Sequence, residues 1–323
     1  MEPASELTPE LRAFVEFVAK KGRELYRDLP WRRTYDPYAI WISEVMLQQT
    51  QVSRVDGRWQ RWLERFPTVE ALAAAAPSDV LEEWQGLGYN RRALSVHRAA
   101  QAISEAGGVF PQDPKELVKL PGIGPATAAG ICAFAFNLHG VYLETNVRTV
   151  FLHELYPQAE GVPDSELVPL VELTCPASVE DAGNSDGTAG ADTAVDTAAN
   201  AADADSTEND ATAELTPRSW YYALLDYGAY LKKTIPNPSR RSKSHVKQSR
   251  FEGSHRQKRA ELLRVLLAHK DEGGAVFETL HQELCQIEVN AGRETLDEQV
   301  TLGLLEELAK EGFCQKNDEY WLP

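Results

Sequence analysis

Residues 120–130 read Leu-Pro-Gly-Ile-Gly-Pro-Ala-Thr-Ala-Ala-Gly, the most specific local pattern in this sequence. Two glycines around one apolar residue predict a tight turn, and the small residues that follow predict a helix. Glycine lets a backbone approach a phosphate closely, and the start of a helix points N–H groups and its positive dipole end toward that anion. Because a Gly-x-Gly turn is also a common plain connector between helices, its interpretation depends on the rest of the chain.

The residues around this turn, from Leu11 to Pro157, have the pattern of consecutive short helices. Prolines recur at the expected helix starts and turns, and the alternation of apolar and polar residues that is typical of strands is nearly absent. We therefore predict an all-α fold. Helix starts are expected at Asp36-Pro37, at Thr68 and at Pro77-Ser78-Asp79, with Ser78 as an N-cap.

The length and composition suit a protein of two or three compact units, since 43% of the 323 residues are hydrophobic. No apolar run reaches the roughly 18 residues of a membrane span, and the N-terminus lacks the pattern of a signal peptide. Cys132, Cys175, Cys285 and Cys314 lie far apart without a CxxC pair, which argues against a zinc site or a disulfide framework. We therefore expect a cytoplasmic protein.

The formal net charge of −16 is unevenly distributed. Residues 177–214 contain ten Asp or Glu and no Lys or Arg, and their lack of large apolar side chains predicts a disordered acidic insertion. Without these ten acids the net charge would be −6. Residues 232–259 contain ten Lys or Arg and one acid, Glu252. This basic segment is either a local surface for a polyanion or a solvated helix face.

Residues 257–323 have a pattern of their own. Three apolar-periodic helices are followed by two short strands joined at Asn317-Asp318. This order predicts a small winged-helix-like domain, a fold that binds DNA in some proteins and other proteins elsewhere. The predicted organisation is thus a helical core in residues 1–176 and 215–256, the insertion in 177–214 and the C-terminal domain in 257–323.

Four further blocks accompany the glycine turn. They read Leu-Pro-Trp-Arg at 29–32, Trp-Ile-Ser-Glu-Val-Met-Leu-Gln-Gln-Thr-Gln-Val at 41–52, Trp-Gln-Gly-Leu-Gly-Tyr at 84–89 and Asn-Val-Arg at 146–148. In this order they resemble the adenine glycosylase (MutY) family of the helix-hairpin-helix DNA glycosylase superfamily, over residues 11–157 and again over 220–230. The resemblance implies two helical lobes with a DNA-facing cleft between them, and residues 120–130 as the hairpin that anchors a phosphate.

The resemblance implies two catalytic carboxyl groups. Glu44 would protonate the departing purine and activate water, which requires a carboxyl of raised pKa in a dry pocket. A glutamate on a helix surface is the alternative. A second carboxylate would stabilise positive charge on the sugar, and here Glu144 stands where the superfamily has Asp. Because the extra methylene displaces that charge, the alternative is an enzyme that is weakly active or that acts on a different substrate.

The resemblance also implies a set of DNA contacts. Gln48 and Gln49 would enter the double helix where the base leaves, and Tyr89 would wedge beside the opposite base. Trp31 and Arg32 would shape the base pocket, although Trp31 and Tyr89 also suit an ordinary core. The remaining predicted contacts come from the hairpin, the block after it and the basic segment: Gly122, Gly124, Thr127, Asn146, Arg148, Lys232, Lys233, Arg240 and Arg241.

Three departures from the family narrow this prediction. Ala126 stands where enzymes that cut the strand through a Schiff base carry Lys, which implies a monofunctional glycosylase. No cysteine follows Leu231 until Cys285, so we expect no iron–sulfur cluster and no other cofactor or metal, with the basic segment in the cluster's place. Residues 257–323 are too few and too helical for the family's Nudix-like domain, which reads oxidised guanine.

We therefore predict a monofunctional repair glycosylase that hydrolyses the N-glycosidic bond of a flipped base in double-stranded DNA. Adenine mispaired with oxidised guanine or with guanine is the favoured substrate. The protein would act as a monomer, associated with the nucleoid in a prokaryote. Two alternatives are open: a glycosylase of this fold for mismatched thymine, uracil or a deaminated purine, and a catalytically silent DNA-binding protein.

Overall fold

The computed structural model describes residues 7–178, 214–244 and 250–323, most of which are helical. The α-helices are α1 Pro9–Glu24, α2 Pro37–Leu47, α3 Val52–Val55, α4 Arg58–Arg65, α5 Val69–Ala74, α6 Pro77–Trp84, α7 Arg91–Glu105, α8 Pro114–Leu117, α9 Pro125–Phe136, α10 Thr145–Glu154, α11 Asp164–Thr174, α12 Pro217–Thr234, α13 His255–Ala268, α14 Phe277–Asn290 and α15 Glu298–Glu311. The strands are β1 Ala275–Val276, β2 Gln315–Asn317 and β3 Tyr320–Leu322. The predicted all-α fold is confirmed. No described helix is long and apolar enough to cross a membrane.

The described residues group into two compact units. The first takes those within Met1–Glu44, Phe110–Lys119 and Ile123–Val246, and the second takes those within Val45–Val109, Leu120–Gly122 and Lys247–Pro323. The predicted domain boundaries stay a prediction, because these units are defined by packing and not by independent folding. Nearly all of the predicted acidic insertion, 177–214, lies outside the described residues.

The first unit is built around α12. The Thr216 side chain caps this helix by accepting a hydrogen bond from the N–H of Ser219, and Pro217 in the first turn has no N–H to leave unpaired. One face of α12 packs on α1 and α10. Its largest fully buried side chains are Trp220, Arg218 and Tyr221. Burial of the two aromatic side chains anchors α12 in the core of this unit.

A buried ion pair ties α12 to the segment that precedes α2. The Nη1 and Nη2 atoms of Arg32 donate to Oδ2 and Oδ1 of Asp226 at 2.7 and 2.8 Å. The two side chains are 1% and 0% exposed. Arg27 donates to the same carboxylate at 2.5 Å. Because two arginines share one buried carboxylate, loss of Asp226 would leave buried positive charge uncompensated.

The second unit contains α3–α7 and the C-terminal elements. Trp62 and Trp84 pack edge to face with ring centroids 5.5 Å apart, and α5 lies against α7. The three strands form an antiparallel sheet in the order β1-β3-β2, and Trp321 of β3 is buried. Helices α13–α15 with this sheet confirm the predicted winged-helix-like fold. The sequence does not predict β1, because two residues are too few to show strand alternation.

Helix caps follow the sequence with one exception. The side chains of Asp36 and Thr68 accept hydrogen bonds from the first turns of α2 and α5, at the predicted starts. The prediction of Ser78 as an N-cap is wrong. The helix α6 begins at Pro77, after Ala76, because proline needs no N–H partner and suits the first helical position.

Candidate active site

Glu44 lies in the second half of α2, where the neighbouring side chains are buried. The apolar neighbours that are at most 3% exposed are Ala39, Ile40, Trp41, Ile42, Val45 and Met46. The Oη of Tyr142 donates a hydrogen bond to Glu44 Oε2 at 2.9 Å. Burial raises the pKa of Glu44 to about 8, although this hydrogen bond acts in the opposite direction. Such a carboxyl is mostly protonated at neutral pH, as a general acid requires, which disfavours the helix-surface alternative.

Gly130 in α9 leaves room for this hydrogen bond. A Cβ atom at position 130 would lie 2.5 Å from Glu44 Oε2 and 2.9 Å from the ring of Tyr142. Both separations are shorter than a carbon atom tolerates, so any larger residue would displace the carboxyl or the ring. The last residue of the glycine-containing stretch therefore belongs to the carboxyl site, a role that sequence reasoning does not assign to it.

Glu144 is the N-cap of α10. Its Oε1 accepts hydrogen bonds from the N–H groups of Asn146 and Val147 at 2.6 and 3.1 Å. Burial raises the pKa of Glu144, while these N–H groups and the charge of Lys232 oppose that rise. The side chain thus folds back onto its own helix, and the backbone fixes the carboxylate despite the additional methylene.

The two carboxyl groups interact electrostatically, since the charge of Glu144 contributes to the raised pKa of Glu44. Glu44 receives one hydrogen bond from a tyrosine, whereas Glu144 receives two from a helix N-terminus and has a cation nearby. Burial raises the pKa of both carboxyls, but the two N–H groups and the cation stabilise the charged form of Glu144 more than the single tyrosine stabilises that of Glu44. One group that gives a proton and another that supports positive charge are the parts that glycosidic bond cleavage requires.

Tyr142 is the site residue that sequence reasoning misses. Its N–H donates to the Oη of Tyr221 at 3.1 Å, and that hydroxyl in turn donates to the carbonyl of Gly140. The rings of Tyr142 and Phe134 pack edge to face at 5.2 Å. Tyr142 lies far from Glu44 in the chain, and no local pattern marks it as the partner of that carboxyl.

Three predicted DNA contacts lie beside Glu144 or on its helix. Lys232 Nζ donates to Asn146 Oδ1 at 3.1 Å, which brings the end of α12 to the start of α10. Arg148 donates to both carboxylate oxygens of Asp164 at 3.0 and 2.9 Å. Because a carboxylate already orients Arg148, a phosphate contact by this residue would have to share or replace that pair. The DNA contacts of all three residues stay predictions.

The predicted hairpin joins α8 to α9 through an exposed turn. Gly122 has a φ of +77°, and a Cβ there would lie 2.5 Å from that of Ser95, so both the backbone and the space require glycine. Gly124 is the N-cap of α9, and no side-chain hydrogen bond caps that helix. Gly124 and Ala126 are exposed, while Thr127 is buried. The turn therefore presents the first turn of a helix to solvent, the arrangement that binds a phosphate.

Two loops of the second unit hold the predicted wedge residues in unusual backbone conformations. Gln49 and Tyr89 have φ values of 55° and 51°, in the left-handed region that side chains other than glycine seldom adopt. Tyr89 is 41% exposed, which disfavours an ordinary core residue. Arg92 fixes both loops, since Nη1 donates to the carbonyl of Gln48 at 2.6 Å and Nη2 to that of Gly88 at 3.1 Å. Held strain of this kind is common in ligand-binding loops.

The remaining predicted contacts have mixed environments. Trp31 is 4% exposed, which agrees with the core alternative, and Arg32 is engaged by Asp226. Arg241 donates to the carbonyls at the end of α10 and beyond, so it closes that helix end. Lys233 and Arg240 are exposed. The structure thus gives Arg32 and Arg241 roles in the fold, whereas Lys233 and Arg240 are accessible to an anion.

Neither compact unit contains the four cysteines that an iron–sulfur cluster would need. Cys132 and Cys175 belong to the first unit, and Cys285 and Cys314 belong to the second. Cys132 Sγ lies 3.3 Å from the carbonyl of Gln112, and the pKa of this buried thiol is raised to about 11, unlike that of a metal-bound thiolate. Within the part of the chain that the structure describes, no three His, Cys, Asp or Glu side chains are grouped as metal ligands.

Residues 42–219 match the HhH-GPD superfamily of base excision DNA repair proteins. Because this range covers more than half of the chain and includes Glu44, Gly122 and Glu144, the chain belongs to that superfamily. The prediction of a helix-hairpin-helix glycosylase fold is confirmed. A solved thermostable thymine-DNA glycosylase shares the fold, with a TM-score of 0.53 and 20% identity over 71% of this chain and 90% of that one.

The predicted resemblance to adenine glycosylases is also confirmed. The adenine DNA glycosylase of Mycolicibacterium smegmatis is 43% identical over 152 residues, which are 46% of this chain and 52% of that protein. The adenine DNA glycosylase of Buchnera aphidicola subsp. Baizongia pistaciae is 39% identical over 127 residues, 39% of this chain and 36% of that protein. The match thus spans about half the length of these relatives, or less.

Proposed function

We propose that this protein is a monofunctional DNA glycosylase that removes adenine mispaired with oxidised guanine or with guanine in double-stranded DNA. The observation that carries the proposal is the buried Glu44 carboxyl, with its pKa raised to about 8 and its hydrogen bond from Tyr142. The similarity to adenine glycosylases supports adenine as the excised base. A cytoplasmic, monomeric enzyme remains part of the proposal.

In the proposed reaction, the protonated Glu44 carboxyl gives its proton to a ring nitrogen of the flipped adenine as the bond to C1′ breaks. The electron pair of that bond leaves with the base, and the ionised Glu144 stabilises the positive charge left on the sugar. The oxygen of a water molecule then bonds to C1′, and the Glu44 carboxylate accepts the proton that this water loses. This step restores the acid form of Glu44 and leaves an abasic site. Ala126 supplies no amine, so no Schiff base with the sugar forms there.

The substrate is tested with duplexes that contain adenine opposite oxidised guanine, adenine opposite guanine, thymine or uracil opposite guanine, and hypoxanthine. We expect excision of adenine in single-turnover assays, and no covalent enzyme–DNA adduct on borohydride reduction. Cleavage confined to a pyrimidine would instead identify a glycosylase with another substrate. A trapped adduct would contradict the monofunctional mechanism.

Glu44→Gln removes the proton donor but keeps the size of the side chain. A general acid–base group contributes roughly 100-fold to 10,000-fold to a reaction rate. We therefore expect the single-turnover excision rate to fall at least about 100-fold. Duplex affinity should remain near that of the parent protein. Glu64→Gln, a change at an exposed glutamate of α4, is the matched control and should leave both properties unchanged. Binding without any excision by the parent protein would establish the silent DNA-binding alternative.

A further inference from the structure

The helix α12 passes close to the start of α10 at Gly228. A Cβ atom at this position would collide with the carbonyl oxygen of Asn146 and would lie 2.7 Å from the Asn146 Cβ. Because real carbon atoms do not approach so closely, only glycine lets the two helices come together here. Gly228 therefore brings α12 up to the helix N-terminus that Glu144 caps.

Lys232 makes a polar contact that depends on this close approach. It lies one turn after Gly228 on α12, so the two residues share a face of the helix. Its Nζ donates a hydrogen bond to Asn146 Oδ1 at 3.1 Å. Since the Lys232 side chain is otherwise exposed, the packing of the core does not require this contact.

The ammonium group of Lys232 determines which way the Asn146 amide faces. An ammonium group has only donors, so the amide presents its oxygen to Lys232 and is left to use its NH2 group elsewhere. Burial raises the pKa of Glu144, and a hydrogen bond from the Asn146 side chain is among the effects that oppose this rise. The backbone N–H of Asn146 also donates to Glu144 Oε1, at 2.6 Å. Asn146 thus holds Glu144 with two donors, and Lys232 orients one of them.

Three titratable groups from different elements interact electrostatically with Glu144. Burial raises the pKa values of Glu44 on α2 and of Tyr142 before α10, and the charge of Glu144 adds to both rises. Lys232 on α12 is the positively charged member of the three, and its charge opposes the rise in the pKa of Glu144. Arg148, further along α10, is paired with a carboxylate of α11. Lys232 therefore offsets part of the penalty for a charged carboxylate in this buried place.

We propose that Lys232 is a positioning residue of the reaction, which acts through Asn146 to keep the Glu144 carboxylate ionised and in place. The inference rests on the proposed glycosylase function, in which the ionised Glu144 stabilises the positive charge on the sugar. This role differs from the phosphate contact that the sequence predicts for Lys232, because it concerns the charge state of a carboxylate and not the strength of DNA binding.

The pH dependence of the single-turnover excision rate at saturating protein tests this role. The reaction needs an ionised Glu144, so the rate should fall at low pH as this carboxyl takes up a proton. Lys232→Met removes the cation that stabilises the carboxylate, so this acid limb should move to higher pH. Relative to each protein's own plateau, we expect the rate on the limb to be roughly 3-fold to 10-fold lower in Lys232→Met than in the parent.

Two further variants separate the charge of Lys232 from other effects. Lys232→Arg keeps a positive group with donors only, so its acid limb should stay near that of the parent protein. Lys233→Met is the matched control, because it removes the next cation of α12, whose side chain points about 100° away around the helix. It should weaken duplex binding while the acid limb stays in place. A limb that is the same in the parent and in Lys232→Met, or that moves equally in both Met variants, would overturn the inference.

A titration without DNA separates this inference from the proposed function. In NMR spectra of protein with isotope-labelled glutamate carboxyl groups, the Glu144 signal is assigned by its loss in Glu144→Gln. We expect this signal to titrate at higher pH in Lys232→Met than in the parent, and at the parent's pH in Lys233→Met. Such a shift in a protein that excises no base would refute the glycosylase proposal alone. Excision with an unshifted Glu144 signal would refute the role of Lys232 alone.

Discussion

Burial raises the pKa of Glu44 and the hydrogen bond from Tyr142 partly opposes that rise, which gives a pH prediction at the scale of a single residue. Excision requires the acid form, so the rate should fall as pH rises through about 8. The Tyr142 hydroxyl stabilises the carboxylate, and its loss in Tyr142→Phe should raise the pKa of Glu44 further. The alkaline limb of the single-turnover pH profile should therefore move to higher pH.

The control for this change is Tyr230→Phe, which alters an exposed hydroxyl on α12 and should leave the limb in place. A limb that moves to lower pH in Tyr142→Phe would contradict the assignment of Glu44 as the titrating acid.

A second prediction at the residue scale concerns the effect of a side chain at position 130 on rate and stability. In Gly130→Ala the new methyl group would collide with Glu44 Oε2 and with Tyr142. We expect an excision rate at least about 10-fold lower and a loss of roughly 1–3 kcal/mol in the free energy of unfolding, as in other overpacked sites. Gly303→Ala is the control, because a Cβ at this helical glycine of α15 has open space and should stabilise by about 0.5–1 kcal/mol. Equal behaviour of the two variants in denaturation and rate measurements would argue against the collision.

The helix α7 also connects two neighbouring segments, because its Arg92 donates hydrogen bonds both to the end of α2 and to the loop before α7. Besides its bonds to Gln48 and Gly88, Nη1 donates to the carbonyl of Val45 at 2.6 Å. Arg92→Ala would leave several carbonyls without a donor, and we expect a loss of roughly 2–4 kcal/mol in the free energy of unfolding. Lesion-duplex affinity should fall, since Gln49 and Tyr89 would no longer be held.

Urea denaturation and duplex titration measure these two effects. Arg98→Ala, at an exposed position of the same helix, is the control and should change the stability little. If the folded Arg92→Ala variant binds the duplex as tightly as the parent protein does, the loops of Gln49 and Tyr89 do not need this arginine to be ordered.

Elements and individual residues differ in how well the sequence predicts them. The hairpin, Glu44 and Glu144 lie in compact blocks whose letters and spacing carry their chemistry. Gly130 and Tyr142 act through contacts between segments distant in the chain, and nothing local to them signals those contacts. The error at α6 has a local cause, since Pro77 and Ser78 are both good starting residues and the first helical position went to proline.

At the scale of the whole molecule, charge distribution governs how strongly the protein attracts DNA. Removal of residues 177–214 would change the net charge from −16 to −6. If these acids compete with DNA for the basic segment, their deletion should tighten duplex binding at low salt, and the gain should shrink as salt screens the charges. A variant of the same length with these acids changed to Asn and Gln separates charge from chain length. Equal affinity of all three proteins at low salt would refute the competition.

Glu144 caps a helix and, in the proposed reaction, also supplies a catalytic carboxylate, and these two roles together limit which mutations the position can accept over evolutionary time. Asn or Ser would still cap α10, so the fold would survive while the chemistry fell silent. Asp and Glu keep both functions, and a single nucleotide change converts one into the other. A lineage can therefore pass between them without an inactive intermediate, whereas drift to a neutral cap would produce a stable protein with no repair activity.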